Sequence, residues 1–430
     1  MLNFFLRIKS KLASVASGSM VKDSFWMLLS QAFSAVIQAA YFILLARTLG
    51  AQDYGSFEGV KAIFHIVFPF IGLGVGDLLV QNVSRDASSF ARHWGDTLVA
   101  LMISLGVAIV FLFPITNILI PSISAPFILL VLLSDLLGLK LWELASKAFT
   151  AVHQMRRVAL IKGVYVVGKF LAALALPFFP PESRLLAWGG LYFLGSIIPG
   201  IIFFLMVNRA ISAPIFNFKT LNISQWKQGF YFSLASSAEG INAQVDRTML
   251  VSLATPAAAG IYGAGYRFID MGFLPIFAIL SASYGRFFKH GEQGIKGTLN
   301  FAQKLLPAAL GYGCVSAVVL ILFRPFVSTI LGPDFAESSL VLLWLAPIHL
   351  LAGLQFLAAD TLTGAGLQRS RSIIQVFAAI LNVSLNFYLI PIYSWKGAIW
   401  ATLSSEFFKT IALWLVVFFI YRKVSKADHL

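Results

Sequence analysis

The chain has 430 residues, 59% of them hydrophobic and only 12% charged, with a mean hydropathy of +0.84. That is too little polar surface to clothe a soluble globule of this length, so the composition specifies an integral membrane protein. A net charge of +14 would suit nucleic acid only if the cations clustered on a solvated domain, and here they are scattered between apolar runs.

The basic N-terminus, with Arg7, Lys9, Lys11 and Lys22, lacks the short apolar core and cleavage site of a signal peptide. It reads as a short amphipathic helix on the inner membrane surface. Runs of roughly 20 apolar residues, the length of a helix that crosses the hydrocarbon core, then recur along the chain without the two-residue alternation of a β-barrel. Twelve spans are predicted, at about 24–46, 57–80, 96–119, 123–145, 157–179, 187–207, 229–252, 257–282, 303–331, 338–361, 373–393 and 397–421. Residues 208–228 mix Ile211, Phe216, Leu221 and Trp226 with polar residues, as an interfacial cytoplasmic linker does. They separate an N-terminal six-helix bundle, 1–207, from a C-terminal one, 229–430. With both tails on one side, that side's loops and termini hold 23 of the 32 Lys and Arg residues, whereas the opposite loops hold only Arg47, Arg184 and Lys396. The asymmetry predicts cytoplasmic termini. The single cysteine, Cys314, has no disulfide partner, and no Cys/His spacing suits a metal, so neither metal nor cofactor is expected.

An internal repeat appears at a shift of 205 positions, where Ala46–Val60 overlays Val251–Gly265 and pairs Gly55 with Gly260 and Phe57 with Tyr262. The same shift pairs His65 with Asp270 and Ser34 with Glu239, and puts Lys61 one step from Arg267. A second pairing sets Thr150–Leu160 over Thr363–Ile373, each a basic turn opening an apolar helix. Six spans per half give both halves the same orientation, related by a pseudo-two-fold axis along the membrane normal and enclosing a cleft with alternating access.

A charge at mid-bilayer costs about 2.5–3.5 kcal/mol, so ionisable residues persist there mainly against a partner or a wet cavity. The spans contain Lys61, His65, Asp77, Asp135, Lys169, Glu239, Asp246, Arg247, Arg267, Asp270, His349, Asp360, Glu406 and Lys409. Lys61 and His65 are four apart, and Arg267 and Asp270 three apart, so each pair shares a helix face. Lys61 and Arg267, both cationic, predict an anionic headgroup. Glu406 with Lys409 reads as a salt bridge, and Asp246 with Arg247 reads equally as a salt bridge or as a functional pair. Gly72, Gly74 and Gly76 lie in an apolar run with no Lys-Ser/Thr after them, which predicts close packing or a hinge, not a phosphate loop.

The run Leu45-Ala46-Arg47-Thr48-Leu49-Gly50, followed by Asp53-Tyr54-Gly55-Ser56-Phe57, then Gly72-Leu73-Gly74 and Gln81-Asn82, resembles the N-terminal signature of Wzx-type oligosaccharide flippases of the MATE-like exporter superfamily. The resemblance implies an all-α, MATE-like membrane fold of twelve helices. It also implies a transporter, not an enzyme, of the bacterial inner membrane. Its cargo would be an undecaprenyl-pyrophosphate-linked oligosaccharide such as an O-antigen unit, flipped from the cytoplasmic to the periplasmic leaflet. Carried onto this chain, Lys61 and Arg267 would hold the pyrophosphate with Arg247 and Lys169 in support. Asn242, Gln244, Tyr262 and Tyr266 would touch sugar, and His65, Asp270, Asp246 and Glu239 would couple transport to an ion. Related lipid II flippases carry a cavity arginine on the first helix and two further C-terminal helices; this chain has Gln31, Ser34 and Gln38 on the first helix and lacks the extra helices. Membrane lipids and other polysaccharide assembly proteins are the expected partners, nucleic acid is not. The rival readings are a MATE-like multidrug exporter, for which Asp246, Asp270 and Glu239 would serve cationic drugs, and a membrane glycosyltransferase or polymerase, for which the outer loops are short.

Overall fold

The computed structural model describes residues 19–84, 86–216, 230, 233, 237 and 244–427. The expected N-terminal surface helix, linker residues 217–228, Glu239 and Asn242 lie outside the described residues. Among the described residues there is no strand, and the helices follow the predicted spans. They are α1 (Ser19–Val67), α2 (Val75–Val83), α3 (Phe90–Leu119), α4 (Ala125–Leu133), α5 (Lys140–Ala151), α6 (Met155–Ala175) and α7 (Arg184–Ala210). After helical residues 244–253 come α8 (Pro256–Gly291), α9 (Gly294–Phe323), α10 (Phe326–Leu331), α11 (Ser338–Leu345), α12 (Ile348–Gly364), α13 (Gln368–Tyr393) and α14 (Trp395–Ala427).

Seven of the described helical segments are long and apolar enough to cross a membrane, and the α11–α12 pair, bent by 43°, adds an eighth. Much of the predicted span 229–252 lies outside the described residues, and three local features separate other helices from the predicted spans. First, α1 contains two expected spans, joined at Gly50, whose φ of 72° breaks the helical path without ending it. The carbonyl of Thr48 just before that break accepts from Arg184 Nη1 at 3.3 Å. Second, the expected span 57–80 stops at Val67 and resumes at Val75, because Gly72, Leu73 and Gly74 all take positive φ, of 78°, 49° and 65°. Glycine adopts that region without a Cβ penalty, so the glycine run works as a break, not as packing within a continuous helix. Polar groups freed there are satisfied by side chains: Ser104 Oγ accepts from Gly72 N at 2.7 Å, and Ser233 Oγ and Ser237 Oγ donate to Pro69 O and Ile66 O at 2.7 and 2.6 Å. Third, α4 and α5 are joined by a π-helical stretch, Ser134–Leu139.

The chain forms two compact units, one of Met1–Leu49 with Val60–Gly240 and the other of Gly50–Gly59 with Ile241–Leu430. The first is centred on Phe127, Ile128, Val131 and Trp188, all fully buried. The second packs Ile295, Ala358, Leu362, Leu413 and Val417 into one cluster and Ile276, Phe287, Phe301 and Leu357 into another. Large apolar side chains left outside these cores, such as Ile118, Phe178, Leu322 and Phe387, suit a surface solvated by lipid chains. Residues 50–59 join the second unit through a close helix crossing, where small residues let backbones approach. A Cβ at Gly55 would run into the Pro256 carbonyl, and one at Gly260 into the Ala51 carbonyl. We expect Gly260→Val to cost about 1–3 kcal/mol by overpacking, read as a lower melting temperature in detergent. Gly106→Ala, with nothing within 4 Å of the new Cβ, should leave it unchanged.

Candidate functional site

In the second unit, Glu58 is 2% exposed and lies between two guanidinium groups. Arg267 Nη2 donates to its Oε1 at 3.2 Å, and Arg247 Nη1 lies 3.6 Å from its Oε2. Arg247, also buried, faces Asp270 at 3.6 Å, donates to Gln244 Oε1 at 2.9 Å and lies 5.5 Å over the Tyr266 ring. Arg267 is 33% and Asp270 46% exposed, so the buried half of this cluster is Glu58 with Arg247 and the accessible half is the other pair. Two arginines and two carboxylates balance in charge. Arg267, expected as a cation for an anionic headgroup, therefore carries a counter-charge from Glu58, an acid not among the ionisable residues singled out from the sequence.

Asp246 turns away from Arg247 instead of pairing with it, because three helices offer it donors. It accepts from Tyr262 Oη of α8 at 2.8 Å, Asn386 Nδ2 of α13 at 2.6 Å and Thr402 Oγ1 of α14 at 2.8 Å. Asn386 Nδ2 also donates to Asn382 Oδ1 at 3.0 Å, and Asn386 Oδ1 is buried with no hydrogen-bond partner among the described residues. The result is a buried carboxylate among neutral oxygen and amide groups. Tyr262, expected to touch sugar, is buried with its hydroxyl on Asp246, and so belongs to this second cluster. Tyr266 lies beside it, ring centroids 5.5 Å apart and planes tilted by 37°.

In the first unit a separate chain of polar groups is built on the π-helical stretch. Asp135 is fully buried there; Tyr192 donates to its Oδ1 at 2.6 Å, and Lys169 Nζ donates to Tyr192 Oη at 2.9 Å. Lys169 also lies over the rings of Tyr165 and Tyr192, at 4.6 and 4.3 Å. His65 Nε2 stands 3.9 Å from Asp135 Oδ2. Within its own unit His65 faces Asp135, and within its own unit Asp270 faces Arg247; the His65–Asp270 couple expected from the repeat would join residues of different units. Lys169, expected as a phosphate ligand, is engaged with aromatic rings and a tyrosine that serves Asp135. Lys61 is buried in the first unit.

Other charges resolve into structural pairs. Lys140 and Lys147 both contact Glu143 at 2.8 Å, and Lys147 reaches Asp77 at 2.9 Å, around a cavity of about 340 Å³ beside the glycine break. Glu406 and Lys409 pair at 2.6 Å as expected. His349 is a packing histidine, held by Ser316 at 2.8 Å and the Ile269 carbonyl at 2.9 Å.

The polysaccharide biosynthesis protein family matches residues 20–290. The chain belongs to that family. No curated protein sequence matches it. Among solved structures, an inward-facing MATE multidrug resistance transporter of the MOP superfamily is 15% identical with a TM-score of 0.68, over 90% of this chain and 96% of that one. The lipid II flippase MurJ in an inward closed conformation is 13% identical with a TM-score of 0.71, over 92% and 87%. A MOP superfamily transporter from Pyrococcus furiosus, described as having a binding pocket of reversed polarity, is 12% identical with a TM-score of 0.58, over 92% and 95%. At these identities the likeness is one of fold, and it makes this member of the polysaccharide biosynthesis family an all-α, MATE-like membrane protein.

The Glu58 cluster gives a thermodynamic prediction. Glu58→Gln leaves the buried Arg247 without the buried one of its two counter-charges, and breaking a buried pair from one side costs about 3–5 kcal/mol. Glu58→Gln combined with Arg247→Gln should recover part of that loss, a coupling measurable as a double-mutant cycle of melting temperatures. Additive losses would mean that the two groups do not interact.

Proposed function

We propose that this protein is a flippase that moves a polyprenyl-pyrophosphate-linked oligosaccharide across the inner membrane by alternating access. The observation that carries the reading is a membrane protein of the polysaccharide biosynthesis family with an accessible arginine, Arg267, whose carboxylate partner Glu58 is shared with the buried Arg247. An anionic headgroup can compete with Glu58 for Arg267 and Arg247, exchanging one charge-assisted hydrogen bond for another. Lys61, buried in the first unit, is a further candidate cation, while Gln244 and Tyr266 beside Arg247 would meet sugar hydroxyls. The membrane potential favours the outward step, by about 2.3 kcal/mol per negative charge per 100 mV when the inside is negative.

Two groups suit ion coupling. Asp246, surrounded by hydroxyl and amide groups, fits a proton or a hard monovalent cation, which prefers oxygen ligands. His65 beside Asp135 fits a proton, because histidine, with an unperturbed pKa of about 6.5, changes charge near neutral pH. The multidrug-exporter reading draws on the same Asp246 and on the MATE likeness, and predicts efflux of cationic dyes.

The test is restoration of surface glycan in a deletion strain that accumulates the lipid-linked intermediate. Lys61→Ala and Arg267→Ala should each abolish export while immunoblots show inserted protein, and Lys169→Ala should do less. Full export by both alanine variants, or dye efflux without glycan export, removes the proposal. In reconstituted vesicles, flux should follow an imposed pH gradient and weaken in His65→Gln. Asp246→Asn should uncouple flux from whichever ion drives it; flux that follows a sodium gradient alone assigns coupling to Asp246 and removes His65 from it.

A further inference from the structure

In the second unit His349 stands in the first turn of α12, at the 43° bend between α11 and α12, and is fully buried. Its ring lies against the backbone of α8 at Gly272, where a Cβ would come within 2.5 Å of the ring's Cε1. Nε2 donates to the Ile269 carbonyl at 2.9 Å, and because a carbonyl only accepts, that bond fixes the ring proton on Nε2. In the neutral ring Nδ1 then accepts from Ser316 Oγ of α9 at 2.8 Å. Phe273 meets the ring edge-on, centroids 4.5 Å apart, and Tyr312 Oη of α9 donates to the Gly272 carbonyl.

These bonds fall where α8 needs them. Pro275 lies inside α8 and has no N–H, so the Met271 carbonyl loses its helical donor. A proline within a membrane helix is tolerated where neighbouring helices serve the carbonyls around it. Gly272 O, three residues before Pro275, takes Tyr312, and Ile269 O, one turn nearer the N-terminus, takes His349. The Ile269 carbonyl shares a peptide plane with the N–H of Asp270, so whatever holds that carbonyl also sets the direction of the Asp270 side chain. Asp270 faces Arg247 at 3.6 Å, and Arg267, one turn back, donates to Glu58 at 3.2 Å. Packing alone does not call for these bonds. An apolar ring of similar size would fill the space beside Gly272, whereas a buried imidazole costs free energy unless its nitrogens are partnered.

We propose that His349 is a positioning residue for the anion site: through the Ile269 carbonyl it holds the α8 turn on which Arg267 and Asp270 meet Glu58 and Arg247. Gly272 is the gap that admits its ring. The role rests on the flippase reading and adds to it what keeps the site in register beside the proline interruption. His349 acts without touching the headgroup.

The experiment measures the affinity of the full-length protein in detergent for undecaprenyl pyrophosphate by native mass spectrometry, with hydrogen–deuterium exchange across α8 in the same samples. His349→Phe keeps a ring and removes both hydrogen bonds. Exchange over Arg267–Phe273 should rise, and affinity should fall roughly tenfold, the worth of one charge-assisted hydrogen bond. His349→Gln keeps a donor near the Nε2 position and should recover most of that loss. Gly272→Ala displaces the ring without altering it; it should reproduce His349→Phe, and the two together should bind no worse than either. Leu362→Ala opens a cavity in the separate cluster of Ile295 and Val417 and lowers the melting temperature, yet should leave affinity and exchange over Arg267–Phe273 unchanged. Affinity that simply follows melting temperature across the variants, or unchanged exchange in both His349→Phe and Gly272→Ala, overturns the proposal. Absence of binding by the unmodified protein removes the flippase reading instead. Exchange then judges the tether alone, selective loosening of Arg267–Phe273 in both variants keeping it and no loosening removing it.

Discussion

A charge at membrane depth has to be neutralised within hydrogen-bond reach, and in the second unit that requirement falls on Glu58. Its carboxylate stands between Arg247 and Arg267, with Asp270 closing the set. Desolvating four charges is expensive, and the geometry that repays it leaves little freedom to substitute one member. In the proposed flippase the same balance would serve loading: the cluster would become cationic when Glu58 gains a proton or swings away, and an anionic headgroup would then restore neutrality.

The irregular stretches of backbone lie where polar side chains are available to serve them. Non-helical backbone at membrane depth is tolerated only where it is buried in protein or faces water. At the glycine break after Val67, serine hydroxyls take the loose carbonyls and Lys140 Nζ adds a 3.4 Å contact to Phe68 O. The π-helical stretch between α4 and α5 carries Asp135. Such stretches are frequent at functional positions, because the extra residue per turn redirects a side chain.

Each unit, taken by itself, contains a buried aspartate that accepts from a tyrosine hydroxyl, Asp135 from Tyr192 at 2.6 Å and Asp246 from Tyr262 at 2.8 Å. What surrounds the pair differs. Lys169 stands behind Tyr192 in the first unit, while Asn386 and Thr402 surround Asp246 in the second. A lysine behind the tyrosine supplies positive charge to Asp135, whereas the groups hydrogen-bonded to Asp246 are neutral amides and hydroxyls, which is what supports the coupling role proposed for it.

Composition and the spacing of apolar runs determined that this is an all-helical membrane protein, because hydrocarbon admits few alternatives to a helix of about 20 residues. The Glu406–Lys409 pair and a special role for the glycine run, expected as close packing or a hinge, were legible for the same reason: they depend on neighbours within a turn or two. The partners of Asp246 were not legible, since Asn386 and Thr402 lie 140 and 156 residues away and are ordinary polar residues in apolar helices. Nor was the partner of His65, because a repeat aligns positions that are equivalent in two halves without requiring them to touch. Glu58 was the one decisive residue visible as a lone acid near the start of an apolar run, yet its meaning depended on Arg267, 209 positions further on. Sequence fixes which charges must be neutralised; only the packing of helices decides which opposite charge arrives within 4 Å to do it, because that distance is set by crossings such as Gly55 on Pro256 and not by spacing along the chain.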